Sequence, residues 1–309
     1  MRSAPVPGRH SALSGVAFVL CAVACFATLD TVSQFLSVSV PIAMAMWFRF
    51  GFQAISTTGL AWRLRGRTGL RPQHPRFQWL RGMLLVSSSA LAYLSLRYTP
   101  VAEFTAIVSV TPLLITLLSA LRLQEKVSVL RWALVFGGFV GTLMVIRPDA
   151  DDFQLVTLLP VALVFTSTAF QLITSRMAHL EDPLITHACT GWIGMASATL
   201  LLPWVWTPIT SATLWSCLVA VGVFGTVGHF MLLMAYRRAQ PAQLTPYLYA
   251  QVPLAVAGGW LAFGRVPDGW GIVGIALITA CGALGTWLTA VEARAFNRKT
   301  PDTVIEPVE

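Results

Sequence analysis

The chain has 309 residues, 56% hydrophobic and only 11% charged, with a mean hydropathy of +0.70. A soluble domain carries roughly 25% charged residues, so apolar runs spread from end to end exclude a water-soluble globule and point to a bilayer. The net charge of +8 does not imply nucleic acid as a partner, because the cations sit in short loops between apolar runs.

A membrane-crossing helix needs about 17–25 mostly apolar residues, and ten stretches qualify. A short basic tail, 1–11, precedes the first span, 12–36; that run is too long for a signal peptide, so a retained helix is expected. It carries Cys21 and Cys25, read as small buried residues without a metal or disulfide role, and Asp30 with Thr31. The second span, 40–62, holds Trp47, deep enough to stack on a flat ligand, and Arg49. The third, 79–97, has Ser87, Ser88 and Ser89 at its centre, with Tyr93 a turn beyond. The fourth, 100–121, offers Glu103, Thr105, Ser109 and Thr111, then Pro112, which removes a backbone hydrogen bond. The fifth is 129–147, and an acidic external loop, 148–153, follows.

Spans six to eight are predicted at 154–175, 184–204 and 212–235, with Gln171, His187 and Trp192 as weaker candidates and His229 as a possible proton acceptor. The ninth, 240–262, repeats Gln243, Tyr247 and Gln251 at i, i+4, i+8, one helical face, before Pro253. The tenth, 269–292, precedes a tail, 293–309.

With the N-terminus inside, seventeen Lys and Arg, Arg81 among them, fall in inner segments; Arg97, Arg147 and Arg265 fall outside. That asymmetry orients both termini to the cytoplasm. Only Arg49 among the cations, and Asp30 among the acids, then lies well inside a span. Charge in hydrocarbon costs about 2.5–3.5 kcal/mol on insertion scales, so the two are expected to pair, or to face a cavity together.

Arg97, Pro100 and Pro112 match Arg238, Pro241 and Pro253, all at a spacing of 141 residues. This predicts an all-α membrane protein of ten helices in two five-helix repeats, 12–147 and 154–292, with Pro112 and Pro253 as hinge candidates. An odd number of crossings per repeat inverts the second against the first, the geometry of alternating-access carriers.

The stretch RLQEKVSVLRWALVFGGFVGT at 122–142, with a Pro in the fourth span of each repeat, resembles the EamA family of the drug/metabolite transporter superfamily. The resemblance implies secondary transport of a small organic metabolite across the bacterial inner membrane. The segments Phe26–Thr31 and Trp47–Phe50 look like a subgroup that includes riboflavin and S-adenosylmethionine carriers, which makes riboflavin the candidate substrate. A channel or scaffold, and then a membrane-embedded enzyme, are the alternatives. The enzyme lacks a nucleophile, metal or paired-acid motif, and a nucleotide loop is absent. The expected partners are the small-molecule substrate, the lipid bilayer and, as candidate coupling ions, protons; cofactors and metals are not implied.

Overall fold

A computed structural model describes residues 9–66, 71–99, 101–122, 127–146, 158–264 and 268–299. Every element among them is helical: α1 (Arg9–Ser37), α2 (Ile42–Arg65), α3 (Pro75–Tyr98), α4 (Val101–Val108), α5 (Thr111–Arg122), α6 (Val129–Ile146), α7 (Leu158–Met177), α8 (Pro183–Thr199), α9 (Leu202–Val205), α10 (Ala212–Tyr236), α11 (Pro241–Leu248), α12 (Gln251–Phe263) and α13 (Gly269–Lys299). By length and apolarity, α1, α3, α7 and α10 can each cross a membrane unaided. The expected tail from 293 is instead helical as far as Lys299, and the expected loop 148–153 lies outside the described residues.

Three predicted spans are interrupted, each four residues or fewer before a proline: Pro112, Pro253 and Pro203. A proline has no N–H to give the carbonyl four residues back, and its ring collides with that carbonyl. For Pro112 that residue is Val108, where α4 ends; for Pro253 it is Tyr249, just past the end of α11. Around the second break the chain tightens, with Val252 N donating to the Tyr249 carbonyl at 3.0 Å. The i, i+4, i+8 face expected over Gln243, Tyr247 and Gln251 is therefore cut between its last two members. The third interruption lies between α8 and α9, and Leu200–Leu201 form the turn.

The helices pack in exchanged pairs. α1 lies on α10 and α7 on α3; α2 lies on α10 and α8 on α3; α11 meets α5 and α4 meets α12; α2 pairs with α8 and α6 with α13. In the last two pairs backbones touch through glycine. A Cβ on Gly191 of α8 would stand 2.6 Å from Ala54 N on α2, and one on Gly141 of α6 would stand 2.9 Å from the Gly274 carbonyl on α13. Small residues supply this close approach where lipid offers no hydrophobic drive for helices to associate.

At the basal end, where α1 starts, Gly15 sits against Ala239, and Glu181 accepts from Gln73 N at 2.8 Å and His74 N at 3.1 Å. Asp182 then caps α8 through Leu184 N at 2.9 Å. At the distal end Tyr93 donates to the Val40 carbonyl, 2.8 Å. The outer faces stay apolar: Phe136, Leu261 and Trp287 are exposed, as a lipid-facing surface requires.

Candidate functional site

Helices α1, α2, α3, α7 and α10 and the four half-helices α4, α5, α11 and α12 enclose a cavity of about 170 Å³. Its two charged groups come from consecutive helices and are held by neutral partners. Asp30 Oδ2 accepts from Gln251 Nε2 at 2.8 Å, and Arg49 Nη1 donates to the Ser89 hydroxyl. Gly225 of α10 makes room for the guanidinium, since a Cβ there would stand 2.8 Å from Arg49 Nε. That Nε is buried without a hydrogen-bond partner, so the site holds an unused donor. Among the described residues Asp30 and Arg49 form no contact ion pair, and both line the cavity.

Between these polar groups lie Phe26, Phe104, Phe170 and Tyr249. The His229 ring stacks edge-on against Phe26 and Phe170, at centroid distances of 4.7 and 5.8 Å. Its Nδ1 lies 2.9 Å from the Gly225 carbonyl; a carbonyl only accepts, so Nδ1 carries the hydrogen and Nε2 is the other, distinct nitrogen. Ser88 donates to Thr166 at 3.0 Å, and Thr111 and Ser167 hydroxyls are 3.4 Å apart. The site thus offers flat apolar surface, hydroxyls, one carboxyl, one guanidinium and one imidazole.

The lining residues fall in pairs along the sequence. At the same spacing of 141, Phe26 answers Ser167, Leu29 answers Phe170, Asp30 answers Gln171, Ser88 answers His229, Val108 answers Tyr249 and Thr111 answers Val252. The cavity is nonetheless lopsided. It runs along α4 by Phe104, Thr105, Val108 and Ser109, toward the distal end, but α11 touches it only at Leu248. The rest of α11 is buried against α1 and α10 in a basal cluster that includes Val16, Val19, Leu232, Tyr236, Leu244 and Tyr247. Tyr236 seals the floor by donating to Gln171 Oε1, 2.7 Å.

Of the residues singled out from sequence, Asp30, Arg49, Ser88, Ser89, Thr105, Ser109, Thr111, Pro112, Gln171, His229 and Gln251 line this cavity. Thr31 instead donates to the Ala27 carbonyl and packs at Gly258. Trp47, expected as a stacking surface, is tied to Thr199 at 3.1 Å and does not reach the cavity. Tyr93 faces a smaller distal pocket, Tyr247 belongs to the basal cluster, and the Gln243 carbonyl accepts from Arg131 at 3.2 Å. Pro253 sits one residue beyond the lining Val252. The Glu103 side chain lies outside the described residues. Sequence reasoning missed Tyr249 and Phe170, and it counted Arg81 and Arg131 as loop cations although both are buried in helices. Shifting Leu29 by the repeat spacing would have reached Phe170.

Residues 13–147 match the EamA-like transporter family. The chain is similar to a riboflavin transporter of Vibrio cholerae, 30% identical over 94% of this chain and 98% of that protein. It is also similar to an S-adenosylmethionine uptake transporter of Rickettsia conorii, 24% identical over 93% and 96% of the two chains. A crystal structure with 21% identity, covering 92% of this chain and 98% of its own, superposes with a TM-score of 0.75 and so shares the fold.

Proposed function

The chain belongs to the EamA-like transporter family, and on that premise we propose that this multi-pass inner-membrane carrier moves riboflavin by alternating access between two inverted halves. The observation that carries the substrate is the full-length likeness to a riboflavin transporter, higher than that to the S-adenosylmethionine carrier. The cavity is chemically suited to such a solute. Riboflavin joins a flat fused ring to a hydroxylated chain, and the site joins Phe26, Phe170 and Tyr249 to Ser, Thr, Gln and Arg side chains.

Ten crossings in two halves, 12–147 and 154–292, are supported by the exchanged helix pairs, by breaks at matching places in the fourth and ninth spans, and by the paired lining residues. Broken helices in corresponding positions are where such carriers hold their cargo. Cytoplasmic termini are supported by the surplus of Lys and Arg at the basal end. The basal end is then cytoplasmic, and the cavity, sealed there and extended toward the distal end, belongs to an outward-facing state. Asp30 and Arg49 are the groups through which solute, or a proton, acts on the two halves: Asp30 of α1 holds α12, and Arg49 is the unsaturated donor.

Thermal shift of the purified protein tests the substrate, because a ligand that binds only the folded state raises the melting temperature. Riboflavin is expected to raise it, and S-adenosylmethionine, amino acids and nucleosides to leave it unchanged. A shift with another class and none with riboflavin overturns the assignment. In liposomes, saturable flux with counterflow marks the carrier, and linear flux would mark a channel.

A further inference from the structure

Between the cavity and the basal end lies a second polar cluster that the reading above leaves unused. Arg81, on α3, has no exposed surface. Its Nε donates to Thr174 Oγ1 at 2.8 Å, and its Nη1 to the Thr186 carbonyl at 3.2 Å and to the Thr190 hydroxyl. Gln78 bonds Thr186, Gln53 bonds the His187 carbonyl, and His187 Nε2 reaches the Thr226 carbonyl, so the cluster ties α2, α3, α7, α8 and α10. It is incompletely satisfied. Arg81 Nη2, Gln53 Oε1, Gln78 Oε1 and Thr226 Oγ1 are all buried without partners, and among the described residues no carboxylate pairs with Arg81. A purely structural tie would not need a charge at this depth, and a buried guanidinium with a spare donor is what a site keeps when an acceptor arrives from outside.

Two observations connect this cluster with the cargo. A single ring separates it from the cavity: Phe170 lines the cavity, and Arg81 Cζ lies 4.9 Å from its centroid. The cluster also has a distal counterpart that is open. Ser33, Ala45, Met46 and Arg49 are among the residues that line the smaller distal pocket; a shift of 141 residues turns these four into Thr174, Thr186, His187 and Thr190. All four images belong to the Arg81 cluster. Val221 of α10 also lines the distal pocket, facing Ser89, Ala92, Tyr93 and Leu96 of α3, and α3, the helix in the place equivalent to α10, supplies Arg81 to the basal cluster.

We propose that the Arg81 cluster is a second station for the transported solute, collapsed in this state. When the halves exchange conformations the distal pocket closes, the Phe170 ring moves aside, and Arg81 with Thr174 and Thr190 receives acceptor oxygens of the solute, carbonyl or hydroxyl, on the basal side. The inference rests on the transport reading and on the two-half exchange.

Two measurements test it separately from the substrate. In a Thr190→Cys chain whose five native cysteines are replaced, a membrane-impermeant maleimide should label the new thiol from the basal face of vesicles and not from the distal face. Labelling from neither face, or from the distal face, overturns the station. In the second, purified Arg81→Gln should bind riboflavin within about twofold of wild type while turnover falls about tenfold or more, with partial recovery in Arg81→Lys. Unchanged turnover, or equal losses of binding, melting temperature and turnover, overturns it. A wild-type protein that neither binds nor carries riboflavin overturns the substrate assignment alone, and the labelling result still decides the station.

Discussion

Asp30 and Arg49 show how a membrane protein keeps charges in its interior. Each is held by a neutral side chain from another helix, Gln251 and Ser89, and both keep a face toward the cavity. Asp30→Asn and Arg49→Ala are therefore expected to leave protein abundance near normal while uptake falls about tenfold or more, a loss of function without a loss of fold. Abundance by immunoblot beside uptake checks this, and joint loss of both would make the pair structural. Gln251→Leu removes the donor that satisfies Asp30. Leaving a buried group unpaired costs about 1–3 kcal/mol, so the melting temperature of the purified variant should drop. At this scale the sequence was legible for Asp30 and Arg49, since an ionisable residue deep in an apolar run stands out. It was not legible for Arg81, which stood only two residues inside the predicted span 79–97 and was counted with the inner cations, whereas α3 starts four residues earlier, at Pro75, and carries it deeper.

Among the elements, the two broken spans matter most. Both breaks follow from prolines visible in the sequence, and both face the cavity, through Val108, Ser109 and Thr111 on one side and Leu248, Tyr249 and Gln251 on the other. Pro112→Ala and Pro253→Ala restore the missing N–H and the clash-free helix. Each is expected to keep or raise thermal stability and to lower transport, because a continuous helix closes over the cavity; transport equal to wild type in both would remove the hinges from the mechanism. Close packing sets a different limit. Gly191→Leu drives a side chain into the Ala54 backbone and should destabilise by about 1–3 kcal/mol, whereas Gly59, whose added Cβ would meet nothing within 4 Å, should accept Ala without loss. Unfolding of the two variants in the same detergent makes the comparison.

On the scale of the whole molecule, orientation and inversion stand or fall together. Cysteines placed at Arg71, basal, and at Thr210, distal, are both exposed and should react with impermeant reagent from opposite faces, Thr210→Cys in intact cells and Arg71→Cys only in inverted vesicles. Reaction of both from one face would break the parity on which the carrier geometry depends. By itself the sequence determined that the chain lives in a bilayer, where most of its helices start to within a few residues, and where prolines break them. These are local properties, written in hydropathy and helix-breaking residues. Only the tertiary structure decided which polar groups meet. Gln251 meets Asp30 across 221 residues and Tyr236 meets Gln171 across 65, while Trp47 turns away to Thr199. Hydropathy assigns a residue to the membrane but is silent on its azimuth around the helix, and lipid, a neighbouring helix and a cavity all read alike until the helices are packed.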